Sequence, residues 1–165
     1  MSEKIDYRNL PHLLLKARET MLVQFRPIIA HFGLTEQQWR ILRVLSDWGE
    51  TEQRELASAC GMLGPSLTGV LSRMEEQELI ARSRLPFDQR RVHVRLTPPG
   101  ERVVQALKPL IQRQYRNIER ALGPAVVSEL IDALDRFLGA DHAAIAQVPL
   151  PPVEQVDQGV GRLSK

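Results

Sequence analysis

Between Arg54 and Leu79 the chain reads RELASACGMLGPSLTGVLSRMEEQEL, two short apolar-periodic runs separated by a segment with two glycines and a proline. Few folds accept that arrangement. Gly61 and Gly64 supply a tight turn, Pro65 suits a first helical position, and the pair is therefore read as helix, turn, helix. In the second run Leu67, Val70, Leu71 and Met74 point one way, which leaves Pro65, Ser66, Thr68, Gly69, Ser72 and Arg73 on the other face. A helix exposed merely for solubility favours Glu and Lys on that face. Small hydroxylated residues ending in a cation instead let a helix lie deep in a groove.

The segment after Leu79 narrows the choice further. Residues 80–85 and 92–97 are strand candidates, with Val92, Val94 and Leu96 alternating with His93, Arg95 and Thr97 around a turn-rich PFDQRR, so a hairpin is expected. The chain has 22 lysines and arginines against 20 acids, a formal charge of +2 that implies no polyanion partner by itself. The placement of the charge matters more. Arg82, Arg84, Arg90, Arg91 and Arg95 crowd the hairpin, and Asp88 is positioned to hold its turn and orient a neighbouring guanidinium. An arginine-rich hairpin can be a solvated surface with no partner. Directly after a helix-turn-helix it reads as the wing of a DNA-binding module, the helix in the major groove and the wing on flanking phosphates or the adjacent minor groove.

The flanks are helical. Leu14, Ala17, Met21, Phe25 and Ile28 mark a helix from about Leu10 to His31, bent near its end by Pro27. Thr35 to Gln38 form a capping box, and Trp39, Leu42, Leu45 and Trp48 repeat until Gly49. LTPPG opens a long helix marked by Val103, Leu107, Leu110, Gln114, Ile118 and Ala121, with a kink expected at Pro109. After Gly123 and Pro124, a last helix carries Val127, Leu130, Leu134, Phe137 and Leu138. From Ala140 the composition turns to Pro, Gln and Gly and is read as a disordered tail.

The fold class is thus mainly α with a small β-hairpin wing, a winged helix-turn-helix. The spans are 1–34 for an N-terminal dimerisation helix, 35–98 for the reading head, 99–139 for C-terminal dimerisation helices and 140–165 for the tail. Three helices with apolar stripes outside so small a head need burial, and a two-fold homodimer supplies it along with paired half-sites.

Several classes are disfavoured. No stretch approaches the roughly 18 apolar residues of a membrane span, and the start has no apolar signal core, so a cytoplasmic protein is expected. His12, His31, His93 and His142 are scattered without metal-ligand spacing, and no phosphate-binding glycine loop occurs, so neither enzyme, metal nor cofactor is expected. Cys60 is the one cysteine and reads as a core thiol. The rival readings are a winged helix that recognises a protein, and a redox-responsive regulator using Cys60.

From Leu56 to Gly100 the chain resembles the reading head of the MarR family of bacterial transcriptional regulators, in its Asp-x-Arg-Arg wing tip (Asp88 to Arg91) and its Leu-Thr-x-x-Gly helix start (Leu96 to Gly100). The likeness extends over residues 10–138 and is strongest to repressors of homoprotocatechuate, or aromatic acid, degradation operons. It departs at Glu78, where a glycine commonly ends the recognition helix and a strained turn of ~1 kcal/mol is expected, and in the proline-rich tail. The resemblance implies double-stranded DNA as partner, base or phosphate contacts from Ser66, Thr68 and Arg73, and wing contacts from Asp88, Arg90 and Arg91. Pro65 shapes the helix start, and Arg82, Arg84 and Arg95 are secondary candidates. The hydroxyls of Ser66 and Thr68 have a plain alternative as caps or phosphate ligands.

The resemblance also implies a small aromatic carboxylic acid as effector, of hydroxyphenylacetate, hydroxybenzoate or hydroxynicotinate type, and repression as the mode. Arg18 lies beside the apolar stripe of the first helix, where a buried cation needs a carboxylate from protein or ligand, unless it snorkels to water. Trp39 and Arg40 are its natural companions, for stacking and charge, although Trp39 also reads as core. His12 is a candidate for a phenolic or heteroaromatic hydroxyl, with an ordinary structural role as the alternative.

Overall fold

In a computed structural model of the chain, residues 8–85 and 88–150 are described, with 85 and 88–90 described for backbone only. Seven residues at the start, the wing tip at 86–87 and the segment 151–165 lie outside the description. The described chain forms α1 (Leu10–His31), α2 (Glu36–Trp48), β1 (Thr51–Glu52), α3 (Gln53–Ala59), α4 (Gly64–Glu76), β2 (Ile80–Leu85), β3 (Asp88–Leu96), α5 (Pro98–Leu122) and α6 (Pro124–Leu138). It divides into two compact units, Met1–Ala121 and Leu122–Lys165.

Helix starts follow their capping chemistry. The Asn9 side chain accepts from the His12 amide at 3.1 Å, and Pro11 sits in the first turn of α1. Thr35 and Gln38 complete a reciprocal capping box at 3.2 and 2.9 Å. α1 runs on through Pro27 and α5 through Pro109. In α4, Gly64 is already helical and Pro65 is second, so Gly61, with φ 57°, supplies the left-handed turn without Gly64.

The first unit is built around the buried side chains of α2, α3 and α4: Ile41, Leu42 and Leu45, Leu56, and Leu67, Val70, Leu71 and Met74. Cys60, Ile80, Val94, Val104 and Leu107 close this core. All four residues of the α4 apolar face are therefore buried, as their spacing predicts. Other stripes shift. Trp48 is 61% exposed and lies outside the core because α2 ends there, at Gly49 with φ 78°. On α1 the buried residues are Phe25 and Ile29, while Leu14 is exposed; on α5 they include Val104 and Ile111 in place of Val103 and Leu110.

The wing is longer than the alternation suggests. β3 begins at Asp88, leaving only 86–87 between the strands, and Ile80 pairs with Leu96 and Arg84 with Val92. A third antiparallel strand joins it: β1 pairs Thr51 with Val94 and Glu52 with His93, giving the order β1-β3-β2. In the second unit, α6 buries no side chain and a short 3-10 turn, His142–Ala144, is capped by Asp141 within the span read as tail.

The junction of α4, β2 and α5 is tight. Glu78 has φ 58°, and its amide bonds the Glu75 carbonyl at 2.9 Å while the Leu79 amide bonds that of Met74 at 3.0 Å, a Schellman ending. The Thr97 hydroxyl donates to the Glu78 carbonyl and accepts from the Gly100 amide at 3.2 Å. Gly100 has no substitute there, since a Cβ would lie 2.0 Å from the Leu79 carbonyl oxygen.

Candidate nucleic-acid interface and effector cavity

The outward face of α4 keeps what its sequence promises. Pro65, Ser66, Thr68, Gly69 and Arg73 are exposed, and the Arg73 guanidinium makes no ion pair among the described residues. Thr68 is held from two sides: its hydroxyl donates to the Gly64 carbonyl at 3.0 Å and accepts from Gln53 Nε2 at 3.0 Å. Ser66 borders a recess of about 630 Å³ shared with Arg18, Arg40, Gly61 and Leu63.

Between α3, α4 and the wing runs a larger groove of about 1050 Å³, bordered by Gln53, Arg54, Thr68 and Arg91. Glu52 of β1 lies 3.6 Å from the Arg91 guanidinium, so the third strand brings a carboxylate to a wing cation. Arg82 is engaged within the fold. Its guanidinium holds Glu75 of α4 at 2.6 Å, and its amide bonds the same carboxylate at 3.1 Å, bracing the wing against the recognition helix. That pairing lowers the Glu75 pKa below the usual carboxylate range. Arg84 and Arg95 are exposed, the latter reaching the Leu96 carbonyl at 3.5 Å. The side chains of Asp88 and Arg90 lie outside the described residues.

A second site lies against α2. A cavity of about 280 Å³ opens between α1, α2 and α5, with Met21, Phe25 and Ile111 on its apolar walls. Arg18, Trp39 and Arg40 all line it, so three of the four effector candidates converge; His12 does not take part and stands exposed in the first turn of α1. Arg43 and Tyr115 also line it. Both escaped the sequence reading, although Arg43 follows Trp39 by one helical turn and Tyr115 follows Ile111 likewise. Tyr115 is set by packing on Phe25, ring centroids 4.8 Å apart. The cavity adjoins a hollow of about 120 Å³ that shares Trp39, Arg43 and Tyr115 and adds Lys108.

Arg18 is not buried: its side chain is 51% exposed, and Glu36 Oε2 lies 4.0 Å from it. Glu36 is already engaged by Arg26, which also grips Glu19 at 2.6 Å and keeps that carboxyl's pKa low. Arg40 is shared differently. While lining the cavity it donates to the Cys60 carbonyl at 2.6 Å, at the end of α3, and so joins the cavity wall to the helix-turn-helix. Burial pushes the Cys60 thiol above its ordinary pKa, against the pull of Arg40, which disfavours the reactive thiolate a redox switch needs. Among the described residues no group of His, Cys, Asp and Glu could hold a metal, and no helix is long and apolar enough to cross a membrane.

Comparison with known proteins agrees with this arrangement. The MarR family profile matches residues 34–92. The HTH-type transcriptional regulator FarR of Neisseria gonorrhoeae is 40% identical over 79% of this chain and 89% of its own length. The homoprotocatechuate degradative operon repressor of Escherichia coli is 35% identical over 82% of this chain and 92% of its own. Among solved structures, NadR in complex with 4-hydroxyphenylacetate aligns with a TM-score of 0.74 at 35% identity, covering 86% of this chain and 100% of the other.

Proposed function

The chain belongs to the MarR family of transcriptional regulators, and from that premise we propose that it is a repressor that binds pseudo-palindromic operators as a homodimer and releases them when a small aromatic carboxylic acid fills the α1/α2/α5 cavity. One observation carries the effector half: Trp39 and Tyr115 stand with Arg18, Arg40 and Arg43, against the one acid Glu36 that Arg26 already engages, around about 280 Å³. Two rings offer stacking and three guanidiniums offer a carboxylate bidentate pairing. The volume is at the small end for ligand pockets and suits a single-ring acid. NadR, a relative of similar length, holds such an acid in its solved complex.

The DNA half rests on the exposed small polar face of α4 and on Arg91 of the wing, beside Glu52. For dimerisation the support is apolar surface at both ends of the chain: Leu10, Leu14, Leu15 and Val23 on α1, and Val126, Leu130, Ile131 and Phe137 on α6, are exposed in the single chain. Repression relieved by ligand is a population shift. An effector that favours dimers with misplaced reading heads weakens DNA binding by its coupling factor, typically about 5- to 150-fold. Arg40 is well placed for that coupling, because the guanidinium that lines the cavity also holds the Cys60 carbonyl, so a ligand carboxylate that draws it alters that bond.

The test is fluorescence anisotropy of the purified protein on duplex DNA from upstream of its own gene, over a salt series and with hydroxyphenylacetate, hydroxybenzoate and hydroxynicotinate. Tight, salt-sensitive binding relieved by one acid is the expected result, with Arg91→Ala flattening the salt slope on specific and nonspecific duplex alike. Binding that no acid relieves removes the effector assignment. Absence of salt-sensitive binding removes the DNA assignment.

A further inference from the structure

The two hydrogen bonds on Thr68 fix more than its position. A threonine hydroxyl has one hydrogen to give and two lone pairs to fill. The Gly64 carbonyl can only accept, so the bond at 3.0 Å takes the hydrogen; the Gln53 partner at 3.0 Å must then be its donating amide, which fills one lone pair. What remains free on this exposed side chain is one acceptor lone pair and the γ-methyl group. Gln53 is the first residue of α3 and directly follows Glu52, the carboxylate beside Arg91, so its backbone is fixed by the strand that also pairs with the wing.

We propose that Gln53 is a positioning residue that makes Thr68 an acceptor-only reader, and that the operator therefore presents an amino base, adenine or cytosine, on the strand facing Thr68. The inference rests on the DNA-binding reading above. In the major groove, A·T and C·G place an exocyclic amine at the same point when viewed from the same strand, whereas T·A and G·C place a keto oxygen there. An acceptor-only hydroxyl bonds the first two and meets the others oxygen to oxygen. The preference is thus amino against keto, not purine against pyrimidine, which is an unusual signature for a single contact to leave in a binding site.

The experiment begins with selection of bound duplexes from a randomised pool by the full-length protein, wild type and Thr68→Val. The position Thr68 reads is the one whose preference Thr68→Val erases. At that position, anisotropy on four otherwise identical duplexes is expected to show that the preferred pair exchanges with its amino-on-the-same-strand counterpart at little cost. Inverting the preferred pair weakens binding about two- to tenfold, the worth of one hydrogen bond. Gln53→Ala frees the lone pair and the hydroxyl's rotation, and collapses the amino–keto ratio toward one with the salt slope unchanged. Gln53→Met, of similar length but with no amide to donate, does the same. A ratio untouched by both Gln53 variants overturns the proposal, as does a preferred pair that tolerates inversion better than the exchange. Equal loss on every sequence for Thr68→Val leaves Thr68 without base-reading and also overturns it. Failure of the wild type to select any duplex instead sinks the DNA-binding reading itself.

Discussion

At Glu78 the backbone adopts φ 58°, a left-handed conformation in which an L side chain costs about 1–2 kcal/mol. The sequence marks this residue by contrast with a commoner glycine, and the Schellman hydrogen bonds show why the strain is tolerated: the turn delivers α4 directly into β2. Glu78→Gly is therefore expected to raise unfolding free energy by about 1 kcal/mol in urea denaturation, less the entropy glycine adds to the unfolded chain. Gly100→Ala should do the opposite, by about 1–3 kcal/mol, since its methyl would press on the Leu79 carbonyl. An unchanged midpoint for Gly100→Ala would show that α5 shifts freely against the wing base. Other residues are legible in the sequence only in part. Arg18 stands out beside the α1 stripe and shares a face with Phe25 and Ile29, but only those two, toward the end of the helix, are buried, so the guanidinium is half exposed and near Glu36. Periodicity gives a face; it does not give the depth of a residue on that face.

Among the elements, the recognition helix is readable because its two faces differ in kind, apolar against small and hydroxylated, and no other packing satisfies both. The hairpin is readable as an element but not in its limits, for Asp88 looks like a turn residue until it pairs with Leu85, and residues 89–91 enter β3 as an irregularity before Val92 pairs with Arg84. β1 leaves no local signal at all. Two residues become a strand only because Val94 and His93 offer them a ladder. Arg82 illustrates the same limit in charge: its position in a cationic cluster suggests DNA, whereas the fold commits it to Glu75. That brace has a pH signature. The Glu75 pKa is depressed in the folded chain, so the stability it contributes is fully present above the unfolded value of about 4.3 and is lost as pH falls through the lower folded value. Urea midpoints should accordingly fall below about pH 4.3, and Glu75→Gln should lower the midpoint near neutrality while flattening the acid limb. A Gln variant with the wild-type acid profile would assign that profile to other carboxylates, of which Glu19 beside Arg26 is the first candidate.

For the molecule as a whole, the two halves of the proposed function are physically joined through α2. Its outer face lines the effector cavity with Trp39, Arg40 and Arg43. From the same helix, Arg40 reaches the end of α3, and Gln38 reaches Gln77 at the end of α4 at 2.9 Å. Neither contact is readable in the sequence, because each joins residues far apart in the chain, although capping box and stripe locate α2 itself. The central claim is that cavity and reading head are coupled, and coupling of binding equilibria is reciprocal. The direct measurement is calorimetric titration of 4-hydroxyphenylacetate, or whichever acid relieves binding, into the protein alone and into the protein saturated with its operator. The account predicts that operator weakens effector affinity by the same factor by which effector weakens operator affinity. An effector affinity unchanged by saturating operator would contradict it, and would make the cavity a binding site without a regulatory consequence.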